Sequence, residues 1–230
     1  MKQLYLPLLL IVSLLIFPSC RDENDEPQPQ TLYDIAELVS NSEPGAVFRV
    51  YLPDAEEAAV LTARGQTLKG MEPGKCAMIR YIPTNGKAYT TTDITLRQYA
   101  PITTTNLMKA VPENLSGWDT DGVWLMSLWR AGDYVIVRAK IEHSPAPRYY
   151  RLIVDESTLG DEIPTAYLYH KITQPADSYM QEYYTAYRVA NLWSHPNVSA
   201  LRIRVSNTNM PDKTEFIIPN PRPHQPQRID

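Results

Sequence analysis

Three residue types are scarce in this chain. Cysteine occurs twice, histidine four times and glycine nine times in 230 residues. Two cysteines, Cys20 and Cys76, exclude a disulfide framework and any Cys-x-x-Cys redox or zinc pair. His143, His170, His195 and His224 lack the i, i+4 spacing that places two imidazoles on one metal, so no metal or other cofactor is expected. No Gly-x-Ser-x-Gly elbow occurs, and no Ser-x-x-Lys with its partner motifs. Gly65-Gln66-Thr67-Leu68-Lys69-Gly70 is not a phosphate loop, because Lys69 precedes the second glycine and no Ser or Thr follows. Basic residues form no patch and the net charge is −4, which argues against a nucleic-acid partner. Apolar runs are short too. The longest, Leu4 to Phe17, is broken by Pro7 and Ser13 and falls below the ~20 residues that span a bilayer.

What is present begins at that run. Lys2, the apolar stretch and Ser19 have the layout of a secretory signal. Phe17-Pro18-Ser19-Cys20 resembles a bacterial lipobox, with Phe17 and Pro18 where other residues are usual. On this reading residues 1–19 are a cleaved lipoprotein signal peptide, and Cys20 becomes the acylated N-terminus. Each buried CH₂ of its acyl chains contributes about 0.8 kcal/mol, so such a cysteine holds a protein on a membrane without a transmembrane helix. Asp22, Glu23, Asp25 and Glu26 follow, then Pro27 and Pro29. Like charges and prolines keep residues 20–31 an extended, solvated tether. The acidic block also resembles the export signal of surface lipoproteins. The expected address is the outer membrane, lipid-anchored and exposed at the cell surface. With Cys20 acylated, Cys76 is left as a buried inert thiol; without acylation, a Cys20–Cys76 disulfide is the alternative.

The remainder reads as β-structure, in a chain with 15 tyrosines and 20 prolines. Thr31–Val39 reads as a short strand or helix. From Gly45 the pattern has period two, through Val47–Leu52, Ala59–Ala63, Lys75–Ile82 and Asp93–Ala100, with an Asn85-Gly86 turn. Short strands at this spacing suit a small barrel over residues 32–113. A second series follows: Val123–Trp129, apolar on both faces; Tyr134–His143, with Val135, Val137, Ala139 and Ile141 inward and Arg138 and Lys140 outward; Tyr149–Asp155, Thr165–His170, Thr185–Leu192, Ala200–Ser206 and Thr214–Ile218. That count predicts an antiparallel sandwich over residues 114–219. Residues 220–230 are Pro-rich and expected to be extended and disordered.

The segments GKCAMIRYI, DITLRQY and ITTTNLMKA resemble the N-terminal OB-like domain of NigD-like lipoproteins. DGVWLMSLWRAGDYVIVRAKIEH, YYRLIVDE and YLYHKITQPADSYMQEYYTAYRVANL resemble the β-sandwich domain that follows it. The resemblance covers about residues 35–218. It implies an all-β, two-domain anchored protein. The family name comes from a bacteriocin gene cluster, and no catalytic residues come with it.

Functional signals are sparse. Asp119-Thr120-Asp121-Gly122 begins like a calcium loop but lacks the later glycine and glutamate, so it reads as a turn. Aromatics are the one suggestive feature. Tyr179, Tyr183, Tyr184 and Tyr187 cluster, and exposed tyrosines bury area on a sugar or peptide at low entropy cost. Core packing is the alternative for such residues. The expectation is a non-catalytic envelope protein with a glycan or protein ligand. A bacteriocin self-protection factor and a hydrolase with a hidden site are the competing readings.

Overall fold

The computed structural model describes residues 29–52, 57–111, 113–114, 120–143, 148–173 and 179–222. The expected signal peptide, Cys20, nearly all of the tether and residues 223–230 lie outside them. The fold is all-β, and no helix among the described residues is long and apolar enough to cross a membrane.

The first unit contains β1 (Leu32–Ser42), β2 (Gly45–Val50), β3 (Ala59–Arg64), β4 (Cys76–Pro83) and β5 (Ile94–Pro101). They form one antiparallel sheet in the order β3-β2-β1-β4-β5. Its two ends meet through a parallel bridge from Thr62 to Asp93 and an Arg64–Asp93 ion pair of 2.8 Å. This is the OB arrangement, in which the long first strand serves both halves of the barrel. Alternate residues explain it: Ala36 and Leu38, Phe48 and Val50, Leu61 and Ala63, Ile79 and Tyr81 point into one core. Thr31–Val39 thus resolves as strand. At Gly45 the backbone has φ +135°, and a Cβ there would lie 2.3 Å from the Ala63 carbonyl oxygen, so the β1–β2 hairpin requires glycine. The Asn85-Gly86 turn forms, but within a longer loop between β4 and β5 rather than as a two-residue hairpin.

The second unit is a sandwich. β6 (Thr103–Asn106), β8 (Trp124–Ala131), β9 (Tyr134–Glu142) and β12 (Met180–Arg188) form one sheet, ordered β6-β12-β9-β8. β7 (Met108–Ala110), β10 (Arg148–Asp155), β11 (Thr165–Ile172), β13 (Ala200–Val205) and β14 (Glu215–Pro219) form the other, ordered β14-β13-β11-β10-β7. A four-residue helix, α1 (Ala190–Trp193), follows β12 and buries Leu192 and Trp193. The core between the sheets includes Val135, Val137, Leu152, Leu168, Tyr187, Trp193 and Ile203.

Several expectations need correction. The boundary at 113/114 is misplaced, because β6 and β7 belong to the sandwich. β6 pairs in parallel with β12, and β7 in parallel with β10. β11 and β13 are also parallel, so the sandwich is mixed rather than purely antiparallel. Thr103-Thr104-Thr105-Asn106 is a polar edge strand that carries no apolar alternation. The expected strand 185–192 begins earlier, at Met180, and ends at Arg188, where the chain turns into α1. The expected loose tail is pinned at its start: Arg222 donates to Asp133 at 3.1 and 3.4 Å and to Ser194 at 2.9 Å.

The two units share a third core. Tyr134, Ile136, Ala131 and Ala186 of the sandwich pack with Cys76, and Ile35, Tyr51, Ile102 and Trp129 close around them. The residue pattern of β9 marks the place. Tyr134-Val135-Ile136-Val137 is buried on both faces, and beyond Arg138 the strand alternates. The continuous apolar part is where the barrel covers the outer face of the four-stranded sheet.

Candidate binding cleft

Strand parity decides what faces the gap between the units. On β1, Ala36 and Leu38 enter the barrel core, so Tyr33, Ile35 and Glu37 face outward. On β4, Cys76, Met78 and Arg80 do the same. On the sandwich side, Trp129 pairs with Ile136, Ser127 with Arg138, and Tyr184 with Arg138. These side chains share the outer face that the barrel only partly covers. Past the shared core the two faces diverge and leave a cleft of about 740 Å³. Tyr33, Tyr51 and Tyr89 line it from the barrel; Trp129, Arg130, Arg138 and Tyr184 line it from the sandwich.

Most of these groups are held by named partners. The Arg138 guanidinium lies 5.4 Å from the Tyr184 ring centre and donates to Glu182 at 2.8 Å. Arg80 sits over Tyr33 at 5.6 Å. Asp34, half-buried at the barrel mouth, accepts from the Tyr81 hydroxyl at 2.7 Å and from the Tyr89 hydroxyl at 3.0 Å. Burial raises the Asp34 pKa above the usual carboxylate value, and the two tyrosine hydroxyls oppose that rise. Tyr89 is the one non-glycine with positive φ among the described residues, at +54°. A bulky residue in that region is strained, and such strain concentrates at binding sites. Deeper in the joint, Glu37 accepts from Tyr134 at 3.1 Å, Tyr51 at 3.4 Å and Arg49 at 3.2 Å.

The four tyrosines expected to form a patch are dispersed. Tyr184 alone lines the cleft. Tyr187 is fully buried in the sandwich core, edge-on to Tyr150. Tyr183 has the same parity as Tyr187 and packs against that core. Tyr179 is exposed and stacks on His143 at 4.7 Å. Side chains at i and i+1 of a strand face opposite ways, so clustering in sequence does not give a common surface. The residues missed, Trp129, Tyr33, Asp34 and Tyr89, had one legible signal. Trp124–Trp129 is apolar on both faces, which for a sheet strand means something covers the second face.

Other expected groups are elsewhere. Cys76 is a buried free thiol, its pKa pushed up to about 12 by burial. His170 is buried, and desolvation lowers its pKa. Asp121 accepts from the Ile172 amide at 2.7 Å and pairs with Lys171 at 3.6 Å; Asp119 lies outside the described residues. Among the described residues no three His, Cys, Asp or Glu side chains come together as metal ligands.

Solved structures share this two-unit architecture. A NigD-like immunity protein from Bacteroides caccae superposes with a TM-score of 0.56 at 14% identity, over 82% of this chain and 92% of its own. The chain has the fold of a NigD-like immunity protein. A protein of unknown function from Bacteroides vulgatus superposes at TM-score 0.64 and 14% identity, over 83% of this chain and 90% of that one. A candidate lipoprotein from Bacteroides fragilis gives 0.52 at 13% identity, over 83% and 98%. No family model matches the chain, and no curated protein does. The NigD-like resemblance therefore holds at the level of the fold.

Proposed function

We propose that this chain is a non-catalytic, lipid-anchored envelope protein of NigD-like type that holds a ligand between its barrel and its sandwich. The observation that carries the reading is the cleft, lined by tyrosine and tryptophan from two units that each have their own core. Its volume falls in the range of small-ligand sites. Aromatic faces with charged and hydroxyl groups between them suit the apolar faces and hydroxyl rims of sugar rings, so a surface glycan is the ligand class favoured. Cys20, acylated after cleavage of residues 1–19, would hold the protein at the outer membrane with the acidic tether spacing it from the bilayer.

The test is binding of the purified chain to envelope glycans, beside a Tyr33→Ala/Tyr184→Ala variant, whose two side chains line the cleft outside the shared core. Loss of binding in the variant with unchanged thermal unfolding supports the cleft. Equal binding by both proteins removes it. Protease shaving of intact cells carrying a C-terminal epitope, beside Cys20→Ala, tests the address. An epitope that survives until the outer membrane is opened would place the protein inside. A second reading, protection against a protein toxin, is favoured by the immunity protein of like fold. It fails if deleting the gene leaves toxin sensitivity unchanged.

A further inference from the structure

The last described residues run along one rim of the cleft. Pro219, which ends β14, is among the residues that line it, with Arg130 of β8. Three residues on, Arg222 donates to Asp133 in the β8–β9 turn at 3.1 and 3.4 Å. Gly132 of the same turn packs against the ring of Tyr51, which also lines the cleft. Arg222 is therefore fixed beside the place where barrel and sandwich join.

After it comes Pro223-His224-Gln225-Pro226-Gln227-Arg228-Ile229-Asp230. A polyproline II segment has three residues per turn. Pro223, Pro226 and Ile229 then share one face, and the polar residues between them take the others. At 3.1 Å of rise per residue, residues 223–230 reach about 25 Å. The cleft walls are shorter. From Tyr134 to Arg138, β9 advances four residues, about 13 Å. From Glu37, which accepts from the Tyr134 hydroxyl, to Asp34, β1 advances three residues, about 10 Å.

We infer that residues 223–230 dock in this cleft, their apolar face against its aromatic walls. Tyr33, Tyr51, Tyr89, Trp129 and Tyr184 supply the flat rings that hold proline-rich extended segments. Charge agrees with the fit. Asp34 is the one carboxylate among the described residues that line the cleft. Its bonds are to the Tyr81 and Tyr89 hydroxyls, and no cation pairs with it among the described residues. Arg228, six residues past the Arg222 anchor and so within about 19 Å of it, brings one. The docking rests on the cleft of the proposed function and deepens that reading, since a glycan there competes with the segment.

Trypsin reads the contact. It does not cut Arg222 before Pro223, so Arg228–Ile229 is the bond it cuts beyond that anchor. The purified full-length chain is expected to be cut there at least tenfold more slowly than a synthetic peptide of residues 219–230, followed by mass spectrometry. Tyr33→Ala/Tyr184→Ala in the walls should remove the protection. Pro223→Gly/Pro226→Gly, outside all three cores, should remove it too, each rate being compared with that of a matching peptide. Tyr149→Ala, exposed on the other sheet, should leave it unchanged. A parent rate equal to the peptide's, or protection that survives both pairs of substitutions, overturns the docking. Protection that grows with protein concentration assigns the segment to a second copy and overturns docking within one chain. Removal of residues 223–230 separates the two readings. Tighter glycan binding by the shortened chain upholds both, whereas protection in the parent with no glycan bound by either chain keeps the docking and removes the glycan.

Discussion

Single side chains in this protein carry opposite loads, depending on whether their polar atoms are matched. The Tyr150 hydroxyl is buried without a hydrogen-bond partner among the described residues. An unpaired buried hydroxyl costs about 1–3 kcal/mol. Tyr150→Phe is therefore expected to leave stability unchanged or raise it by about 1 kcal/mol, measured by urea unfolding. Asp34 has the reverse character, since its carboxylate is matched but half-buried. Its folded pKa is raised by burial. The folded state thus holds this proton to higher pH than the unfolded chain. The stabilisation is full below the ordinary value of 3.8 and is lost as pH rises through the folded value. Asp34→Asn has no such titration. Its melting temperature relative to the parent should climb as pH rises above the ordinary value of 3.8; a constant difference would show that burial at the barrel mouth is not what sets this proton.

At the scale of elements, the turn between β8 and β9 joins local geometry to the docking of the units. Gly132 has φ +57°, and a Cβ there would fall 2.1 Å from the Tyr51 ring. Gly132→Ala imposes left-handed strain of about 1–2 kcal/mol and displaces Tyr51 from the joint as well. A loss of about 2 kcal/mol or more is expected from chemical denaturation, with a weaker shared core as its cause. β8 and β9 themselves were legible in the sequence, because alternation in Arg138–Glu142 and its absence in Tyr134–Val137 reflect one covered and one open stretch of the same sheet. β6 and β7 were not. An edge strand of threonines owes its conformation to the neighbours it pairs with, and those lie some 80 residues on for β6. The cleft was half legible. Each strand's parity could be read, but the register that sets Trp129, Arg138 and Tyr184 side by side is a tertiary fact.

The whole molecule behaves as two cores bolted through a third. Tyr134 is the bolt: buried in the shared core with Cys76 of the barrel, and hydrogen-bonded to Glu37 and to the Gly74 carbonyl, each at 3.1 Å. All four tryptophans, Trp118, Trp124, Trp129 and Trp193, lie after the barrel in sequence. Trp124 and Trp129 sit on β8 and Trp193 on α1, so tryptophan fluorescence is weighted to the sandwich and its joint with the barrel, while far-ultraviolet circular dichroism reports both units. The two transitions should coincide in the parent protein. In Tyr134→Ala they should separate, with a loss of about 3–5 kcal/mol from the emptied aromatic site. Coincident transitions in the variant would mean that the remaining joint suffices to couple the units.

The passage of residues 103–110 through both sheets of the sandwich also bears on how such proteins diversify. The stretch is contiguous with the barrel in sequence yet belongs to its neighbour in space. A recombination event that exchanged barrels at residue 114 would carry off two edge strands of the recipient's sandwich and return foreign ones. Only a crossover beside Pro101–Ile102 trades one whole unit for another. The joints of ancestral shuffling in this fold should be sought there.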